Sequence, residues 1–230
     1  MALKAAIFDL DDTLYSYQAI NPLALETVCG FLADHLNTPK DKVFAAIEQS
    51  RNIVHHDNQG LAASHSRLLY FQKAIEILVG YTDCKLSLTC EELFWTTFLG
   101  KIKLFPGVLE CLQMLKDHKI KILVLTDLTA QIQLRKLIQL GIDKCIDWVV
   151  SSEEVGAEKP DMRMFILALA KLKVTPNEVV MIGDNFEKDC LGAKAAGIQQ
   201  IIWKRHGALT SNIKVADSFF DITKILQTML

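Results

Sequence analysis

Residues 3–13 of this 230-residue chain read LKAAIFDLDDT, an apolar run that ends in three acids. The nearly continuous apolar run at 3–10 is typical of a strand buried on both faces of a parallel sheet. After residue 104, apolar strand patterns at 120–125, 146–150, 179–182 and 200–203 alternate with helix patterns at 108–117, 130–140, 164–172 and 187–196. This alternation predicts an α/β fold with a Rossmann-like parallel sheet.

Between the first two of these strands the sequence carries helix signals only. The pairs Asn21-Pro22 and Thr38-Pro39 each resemble an N-cap followed by proline in the first turn. A further helix pattern covers residues 63–79.

The last helix signal of this segment is a capping box at the start of a fourth helix. Thr89 is followed three residues later by Glu92, which predicts a helix start at Thr89. We therefore expect residues 1–14 and 104–230 to form the Rossmann-like core, and residues 15–103 to form an inserted all-helical cap.

The composition excludes several classes of protein. With 25 basic and 27 acidic side chains the net charge is −2, which gives no general attraction to nucleic acid or anionic lipid. The longest apolar runs are far shorter than the roughly 20 residues that span a bilayer. The six cysteines include no C-x-x-C pair. We expect a cytoplasmic protein with reduced cysteines and with neither nucleic acid nor membrane as partner.

Polar residues cluster at the predicted carboxyl ends of the strands, where ligands bind in open α/β sheets. Each alone fits a turn or a cap, because Asp and Thr are frequent in both. Together they bring acids, a hydroxyl and an amine to one edge of the sheet. These candidates are Asp9, Asp11, Thr126, Lys159, Asp184 and Asp189.

This set of side chains indicates phosphoryl-transfer chemistry. Several carboxylates that converge on one point repel each other unless a cation compensates them. Oxygen ligands without a His or Cys pattern favour Mg²⁺ over Zn²⁺. Lys159 and the Thr126 hydroxyl are donors of the kind that phosphoryl oxygens need. One carboxylate can act as nucleophile, and a second one two residues later can act as general acid and base.

These residues also resemble a known family. DLDDT at 9–13, the strand-end Thr126, Lys159 within EKPD, and GDNFEKD at 183–189 are similar to the four motifs of the haloacid dehalogenase superfamily. They occur in the family's order and at its approximate spacing. The inserted helical segment resembles the cap of the subfamily that includes small-metabolite phosphatases.

The resemblance implies a role for each matching position. Asp9 would be the nucleophile and Asp11 the general acid and base. Thr126 and Lys159 would bind the transferring phosphoryl group, and Lys159 would also neutralise Asp9.

The resemblance also implies a Mg²⁺ site. Its ligands would be Asp9, the backbone carbonyl of Asp11, and Asp184, while Asp189 would hold Lys159 or a metal-bound water. The implied function is a Mg²⁺-dependent phosphatase that acts through an aspartyl-phosphate on a small phosphorylated metabolite, either a sugar phosphate or a nucleoside monophosphate.

Three alternatives remain at this stage. A 2-haloacid dehalogenase shares the nucleophile, but the family's dehalogenases lack an acid at the position of Asp11. A phosphosugar mutase shares all four motifs but usually carries glycine where this chain has Asp12. A non-catalytic binding module on the same fold would have no reason to keep uncompensated acids.

Two polar groups have no settled role from sequence. The first lies in the predicted cap and fits leaving-group contacts as well as a solvated face. Its members are Arg51, His55, His56, Asn58, His65 and Arg67. The second is the basic run at 203–206, which fits a solvated loop as well as substrate binding.

Overall fold

The structure, a computed structural model, describes residues 3–205 and 213–230. The strands and α-helices follow in chain order as β1 (Ala5–Phe8), α1 (Tyr17–Leu36), α2 (Lys40–Asp57), α3 (Arg67–Val79), α4 (Cys84–Leu99), α5 (Val108–Asp117), β2 (Lys121–Thr126), α6 (Ala130–Gln139), β3 (Trp148–Ser151), α7 (Ser152–Val155), α8 (Met162–Leu172), β4 (Val179–Gly183), α9 (Gly192–Ala195), β5 (Gln200–Lys204), β6 (Lys214–Ala216) and α10 (Phe219–Gln227). Short 3₁₀ segments cover Ala62–His65, Asp143–Cys145 and Pro176–Glu178, and a π-helical segment covers Phe186–Leu191.

The six described strands form one parallel sheet in the order β3-β2-β1-β4-β5-β6. The predicted α/β fold with a Rossmann-like parallel sheet is thus confirmed. In the register of the central strand, Phe8 pairs with Val124 of β2 on one side and with Ile182 of β4 on the other. Because parallel strands all end at the same edge, the residues that follow β1, β2 and β4 are brought next to each other.

Helices cover both faces of the sheet. Ala5 and Ile7 of β1 belong to a buried cluster that contains Phe165 of α8. On the opposite face, Phe8 packs against Phe219 of α10 with ring centroids 6.4 Å apart. Burial of one large apolar side chain contributes about 1.5–3 kcal/mol to stability. Because many such side chains hold the strands in place, the positions of the polar residues at the ends of the strands are fixed as well.

The chain divides into two compact units, one formed by Met1–Ser16 with Lys103–Leu230 and the other by Tyr17–Ile102. The first holds the sheet. In the second, α1 packs on α2 and α4, and α3 packs on α2 and α4. An aromatic core of Phe71, Phe94, Trp95 and Phe98 lies within these helices. That the helical unit serves as a cap stays a prediction.

The predicted start of the first helix of this unit is wrong. The helix α1 begins at Tyr17, so Pro22 lies inside it and Asn21 is not its cap. Proline removes one backbone hydrogen bond from a helix. Burial of Ala24 and Val28 on the inner face of α1 outweighs that loss, because tertiary packing commonly overrides local signals.

Two threonine caps were also predicted wrongly. The helix α2 begins at Lys40, and the Thr38 hydroxyl donates to the Leu36 carbonyl instead of capping it. The helix α4 begins at Cys84 and is capped by Asp83, whose carboxylate accepts from the Leu86 N–H. Thr89 lies within that helix.

Elements of the sheet unit agree more closely with the patterns. The first five strands begin and end within two residues of the predicted bounds. The strand β6 was not predicted, because its three residues are too short for a period-two pattern. The helix α10 was not predicted either. Ser218 caps α10 by accepting from the Asp221 N–H.

Candidate active site

The carboxyl edge of the sheet brings four of the predicted residues into one group. We call it the Asp9 cluster, and its members are Asp9, Lys159, Asp184 and Asp189. Asp9 follows β1, Asp184 follows β4, and Asp189 lies in the π-helical segment behind β4. Lys159 comes from the loop before α8.

Lys159 is the centre of this cluster. Its Nζ lies 2.6 Å from Oδ1 of Asp9, 2.7 Å from Oδ1 of Asp189 and 3.1 Å from the Leu125 carbonyl oxygen. An ammonium group has three protons, so each of these acceptors can receive one. The Lys159 side chain is only 2% exposed. A charge this deeply buried is stable only when it is paired and hydrogen-bonded, as Lys159 is.

Thr13 connects two carboxylates of the cluster. Its Oγ1 lies 2.7 Å from Oδ2 of Asp9 and 3.1 Å from Oδ1 of Asp184, and it accepts from the Asp184 N–H. A hydroxyl has one proton, so it donates to one carboxylate at a time. Thr13 therefore links the loop after β1 to the residue that follows β4.

Asp189 is held from two sides. Its Oδ2 accepts from the Asn185 N–H at 3.0 Å, while its Oδ1 faces Lys159. It also lies against the backbone of Gly183, where an added Cβ would be 2.3 Å from Oδ2. Only glycine leaves room for this carboxylate at the end of β4.

Burial and mutual repulsion perturb the acids of the Asp9 cluster. Burial raises the pKa of Asp9 well above its usual value; Asp189 and Asp184 raise it further, while Lys159 opposes them. Burial, followed by the charge of Asp189, raises the pKa of Asp184 to about 6. Burial alone would lower the pKa of Lys159, but Asp189 and Asp9 raise it well above its usual value.

The charge balance and the geometry of this cluster fit a divalent cation. Three carboxylates share one lysine, so one or more acids must bind a proton or a cation. One carboxylate oxygen from each of Asp9, Asp184 and Asp189 lies within 4.8 Å of the other two. Such an all-oxygen donor set suits Mg²⁺. The Asp11 carboxylate is not part of this group.

Asp11 lies in a separate group, which we call the Asp11 cluster and which consists of Asp11, Tyr15, Gln133 and Lys136. The Nζ of Lys136 lies 2.8 Å from each oxygen of the Asp11 carboxylate. The Tyr15 hydroxyl donates to Oδ1, and Nε2 of Gln133 lies 3.5 Å from Oδ2. Burial alone would raise the pKa of Asp11, but Lys136, Tyr15 and Gln133 together lower it below its usual value.

Thr126 is linked to the Asp11 cluster through Gln133. The amide Nε2 of Gln133 lies 2.6 Å from Oγ1 of Thr126 and 2.5 Å from the Asp127 carbonyl oxygen. The Asp127 carboxylate in turn accepts from the Lys159 N–H at 3.0 Å and from Nζ of Lys188 at 2.8 Å. The loop after β2 is thus fixed to both clusters.

Gln133, Lys136 and Tyr15 were not predicted from sequence. The helix pattern of α6 contained a usable signal for two of them, because Gln133 and Lys136 share its inward face with Ile132 and Leu137. Polar residues on an otherwise apolar helix face indicate a buried polar contact. For Tyr15, four residues after Asp11 in a loop, the sequence offered no comparable signal.

Two of the candidate residues of the helical unit, Arg67 and His55, make polar contacts within that unit. The Arg67 guanidinium donates to the His65 carbonyl and to the Tyr17 hydroxyl, and it lies 5.0 Å from the centre of the Tyr70 ring. The Tyr70 hydroxyl lies 2.9 Å from Nε2 of His55.

The other candidates of the helical unit differ in their exposure. The Asn58 amide donates to the Val54 carbonyl, whereas Arg51 and His56 are exposed.

The basic run at 203–206 lies partly at the site edge. Nζ of Lys204 donates to the Asp12 carbonyl at 2.9 Å, and the Arg205 guanidinium lies 4.7 Å from the centre of the Trp203 ring. His206 lies outside the described residues. Across the described ranges, no helix has both the length and the apolar character that a membrane span needs. The expected cytoplasmic location and the expected absence of nucleic-acid partners stay predictions.

Comparison with known proteins agrees with this geometry. A family model described as haloacid dehalogenase-like hydrolase matches residues 3–197. A ribulose-1,5-bisphosphate 5-phosphatase from Halopiger xanaduensis is 39% identical over 206 residues, which cover 86% of this chain and 84% of the relative. A glyceraldehyde 3-phosphate phosphatase from Methanothermobacter thermautotrophicus is 29% identical over 97% of this chain and 95% of its own length.

A solved structure shows the same fold. The HAD phosphatase from Thermococcus onnurineus aligns with a TM-score of 0.78 and 24% identity, over 97% of this chain and 98% of that chain. The family match, the named phosphatase relatives and the sheet with its acidic edge agree with one another. The chain therefore belongs to the haloacid dehalogenase-like hydrolases and, among them, to the phosphatases.

Proposed function

We propose that this phosphatase hydrolyses a sugar phosphate in a Mg²⁺-dependent reaction through an aspartyl-phosphate on Asp9. The observation that carries the proposal is the Asp9 cluster, in which three carboxylates and one lysine meet at the ends of β1 and β4. The substrate class is supported by the two named relatives, which act on ribulose-1,5-bisphosphate and glyceraldehyde 3-phosphate. These relatives favour a sugar phosphate over a nucleoside monophosphate.

Asp9 would supply the nucleophile. One of its carboxylate oxygens attacks phosphorus, the bond to the sugar oxygen breaks, and the phosphoryl group is transferred to Asp9. Lys159 and Thr13 hold the two oxygens of Asp9 at 2.6 and 2.7 Å, which orients the carboxylate for attack. Lys159 and the Thr126 hydroxyl would bind the oxygens of the transferring group.

Asp11 would act as general acid and general base. It gives a proton to the departing sugar oxygen, and in the second step it takes one from the water that attacks the phosphorylated Asp9. Phosphate leaves and Asp9 is regenerated, so the charges and the protons balance over the cycle.

Asp9 and Asp184 would hold Mg²⁺ together with the backbone carbonyl of Asp11. Asp189 is close enough to Asp9 and Asp184 to contribute to the site, while it also holds Lys159. When bound, Mg²⁺ would offset the repulsion between the carboxylate and the phosphate anion. Its charge would also favour the ionised form of Asp9, which the metal-free cluster disfavours.

The test is phosphate release across a panel of sugar phosphates and nucleoside monophosphates, with ribulose-1,5-bisphosphate and glyceraldehyde 3-phosphate included. We expect release from sugar phosphates that stops with EDTA, returns with Mg²⁺ and is absent in the Asp9→Asn variant. Metal-independent turnover, or halide release from a 2-haloacid, would contradict the proposal. Conversion of a phosphosugar to its isomer without phosphate release would instead indicate a mutase.

A further inference from the structure

We propose that Lys136 is a positioning residue that holds the Asp11 carboxylate in the orientation needed for proton transfer to the leaving group. The inference rests on the proposed function, since it takes Asp11 as the proton donor. It adds to that function a residue of α6, outside all four sequence motifs.

The contacts of Lys136 carry this inference. The side chain is 0% exposed, and its Nζ lies 2.8 Å from both oxygens of Asp11. The same Nζ lies 5.8 Å from the centre of the Tyr15 ring, and the Tyr15 hydroxyl donates to the same carboxylate. With donors on both of its oxygens, the Asp11 carboxylate has its rotation restricted.

The exposure of the two partners differs. The Asp11 side chain is 29% exposed, whereas Lys136 is completely buried behind it. Burial of a charged lysine is unfavourable unless its partners offset the lost solvation. The buried amine thus contacts the carboxylate from the protein interior, while part of the carboxylate stays in contact with solvent.

The helix α6 fixes a second functional group at the same time. Gln133, one turn before Lys136, donates to the Thr126 hydroxyl at 2.6 Å. One rigid helix therefore carries the contacts that hold the predicted proton donor and a predicted phosphoryl-binding hydroxyl. Positioning errors of about 1 Å in such groups can lower a rate by about 10²-fold.

Leaving-group chemistry distinguishes a positioning role from a merely structural one. Phenolate from phenyl phosphate is a poor leaving group and departs more readily when it is protonated. The 2,4-dinitrophenolate ion departs without a proton. Loss of a positioned general acid should slow the first ester strongly and the second one little.

The experiment compares the kcat/KM of the Mg²⁺-loaded wild type and of Lys136→Met on both esters. We expect Lys136→Met to lower the value for phenyl phosphate about 10–100-fold more than the value for 2,4-dinitrophenyl phosphate. Asp11→Asn should show a shift in the same direction and at least as large. The kcat/KM of the double variant Lys136→Met/Asp11→Asn for phenyl phosphate should be no lower than that of Asp11→Asn alone, because both changes act through one group.

Lys116→Met is the matched control, since it removes an exposed ion pair with Asp147 in the same unit. We expect this variant to keep the wild-type ratio between the two esters. If Lys136→Met does not fold, as judged by circular dichroism, Lys136→Gln and Tyr15→Phe supply the same readout. Tyr15→Phe removes one hydrogen bond to Asp11, so we expect a smaller shift in the same direction.

Equal losses on both esters, or losses that add to those of Asp11→Asn, would overturn the role of Lys136. If the Asp11 variant shows the leaving-group effect and the folded Lys136 variants do not, the inference fails while the proposed function stands. If the wild type with Mg²⁺ releases phosphate neither from these two esters nor from any sugar phosphate of the panel, the proposed function fails and the inference fails with it.

Discussion

The Asp9 cluster and the Asp11 cluster arise from acids only two residues apart, yet they differ in charge balance. In the first, Lys159 pairs with Asp9 and Asp189, and a third carboxylate, Asp184, lies next to these two acids. In the second, a single carboxylate receives donors from a lysine, a tyrosine and a glutamine. The first cluster therefore favours a cation and raises the pKa of its acids, whereas the second lowers the pKa of its acid. In the metal-free protein these pKa directions are the reverse of those that an ionised nucleophile and a proton donor require, so a bound cation would have to favour the ionised form of Asp9.

The largest expected effect comes from the nucleophile itself. Asp9→Asn should lower kcat for every ester by about 10³-fold or more, because the covalent step is lost whatever the leaving group. Asp11→Asn should instead spare the kcat/KM of substrates with good leaving groups, because this ratio reports only the steps up to phosphoryl transfer. Steady-state kinetics on aryl phosphates measures both variants. Near wild-type activity in Asp9→Asn would remove Asp9 from the mechanism.

The two buried lysines should differ in their contribution to stability. Lys159→Met leaves the buried Asp9 and Asp189 without their shared cation, and we expect it to lower the free energy of unfolding by about 3–5 kcal/mol without Mg²⁺. Lys136→Met should lower the free energy of unfolding by a smaller amount, because 29% of the Asp11 side chain is exposed to solvent, which can solvate the unpaired carboxylate. Urea denaturation of the two variants tests the order. Equal losses would contradict the contrast between the clusters.

The pH dependence of stability should report the acidic excess in the Asp9 cluster. The folded protein raises the pKa of Asp184 from 3.8 to about 6, so between these values it binds more protons than the unfolded chain does. Without metal, the free energy of unfolding should therefore fall by about 2–3 kcal/mol from this group as the pH rises from about 4 to 6.

Asp184→Asn provides the comparison, because it removes the titrating group. The difference in unfolding free energy between wild type and variant, measured in EDTA at several pH values, isolates the contribution of Asp184. A difference that does not change across this range would show that Asp184 is not perturbed.

The smallest expected effect concerns the close approach of Gly183 to Asp189. Gly183→Ala would place a Cβ 2.3 Å from Oδ2 of Asp189, so the carboxylate must move away from its partners. We expect a loss of about 1–3 kcal/mol in stability. Gly30→Ala is the matched control, because nothing lies within 4 Å of its added Cβ and alanine favours the helix. Equal thermal shifts in the two variants would contradict the role of Gly183.

The members of the Asp9 cluster could be predicted because parallel strands end at one edge. The motif order then located Asp9, Lys159, Asp184 and Asp189 without a structure. The partners of Asp11 could not be predicted in the same way. Lys136 and Gln133 lie on a helix, and their function depends on which of its faces meets the loop after β1.

The secondary structure shows the same contrast between strands, which could be predicted well, and the helix starts of the helical unit, which could be predicted less well. Strands of the sheet are continuous apolar runs and were located within two residues. The helix starts near Asn21 and Thr89 were wrong, and the helix near Thr38 starts as predicted within one residue but without the threonine cap. A cap signal is local and recurs by chance inside helices. Burial of a helix face depends on neighbours that are distant in sequence, and in α1 and α4 it decided where the helix begins.

Chemical trapping of the phosphorylated enzyme tests the central claim most directly. Wild type and Asp11→Asn, quenched during turnover of an aryl phosphate with Mg²⁺, are reduced with borohydride, which converts an aspartyl-phosphate to homoserine. Fragment mass spectrometry should find homoserine at position 9, at a higher level in Asp11→Asn and not at all in Asp9→Asn. Unmodified Asp9 in an enzyme that is turning over, or homoserine at another position, would contradict the account.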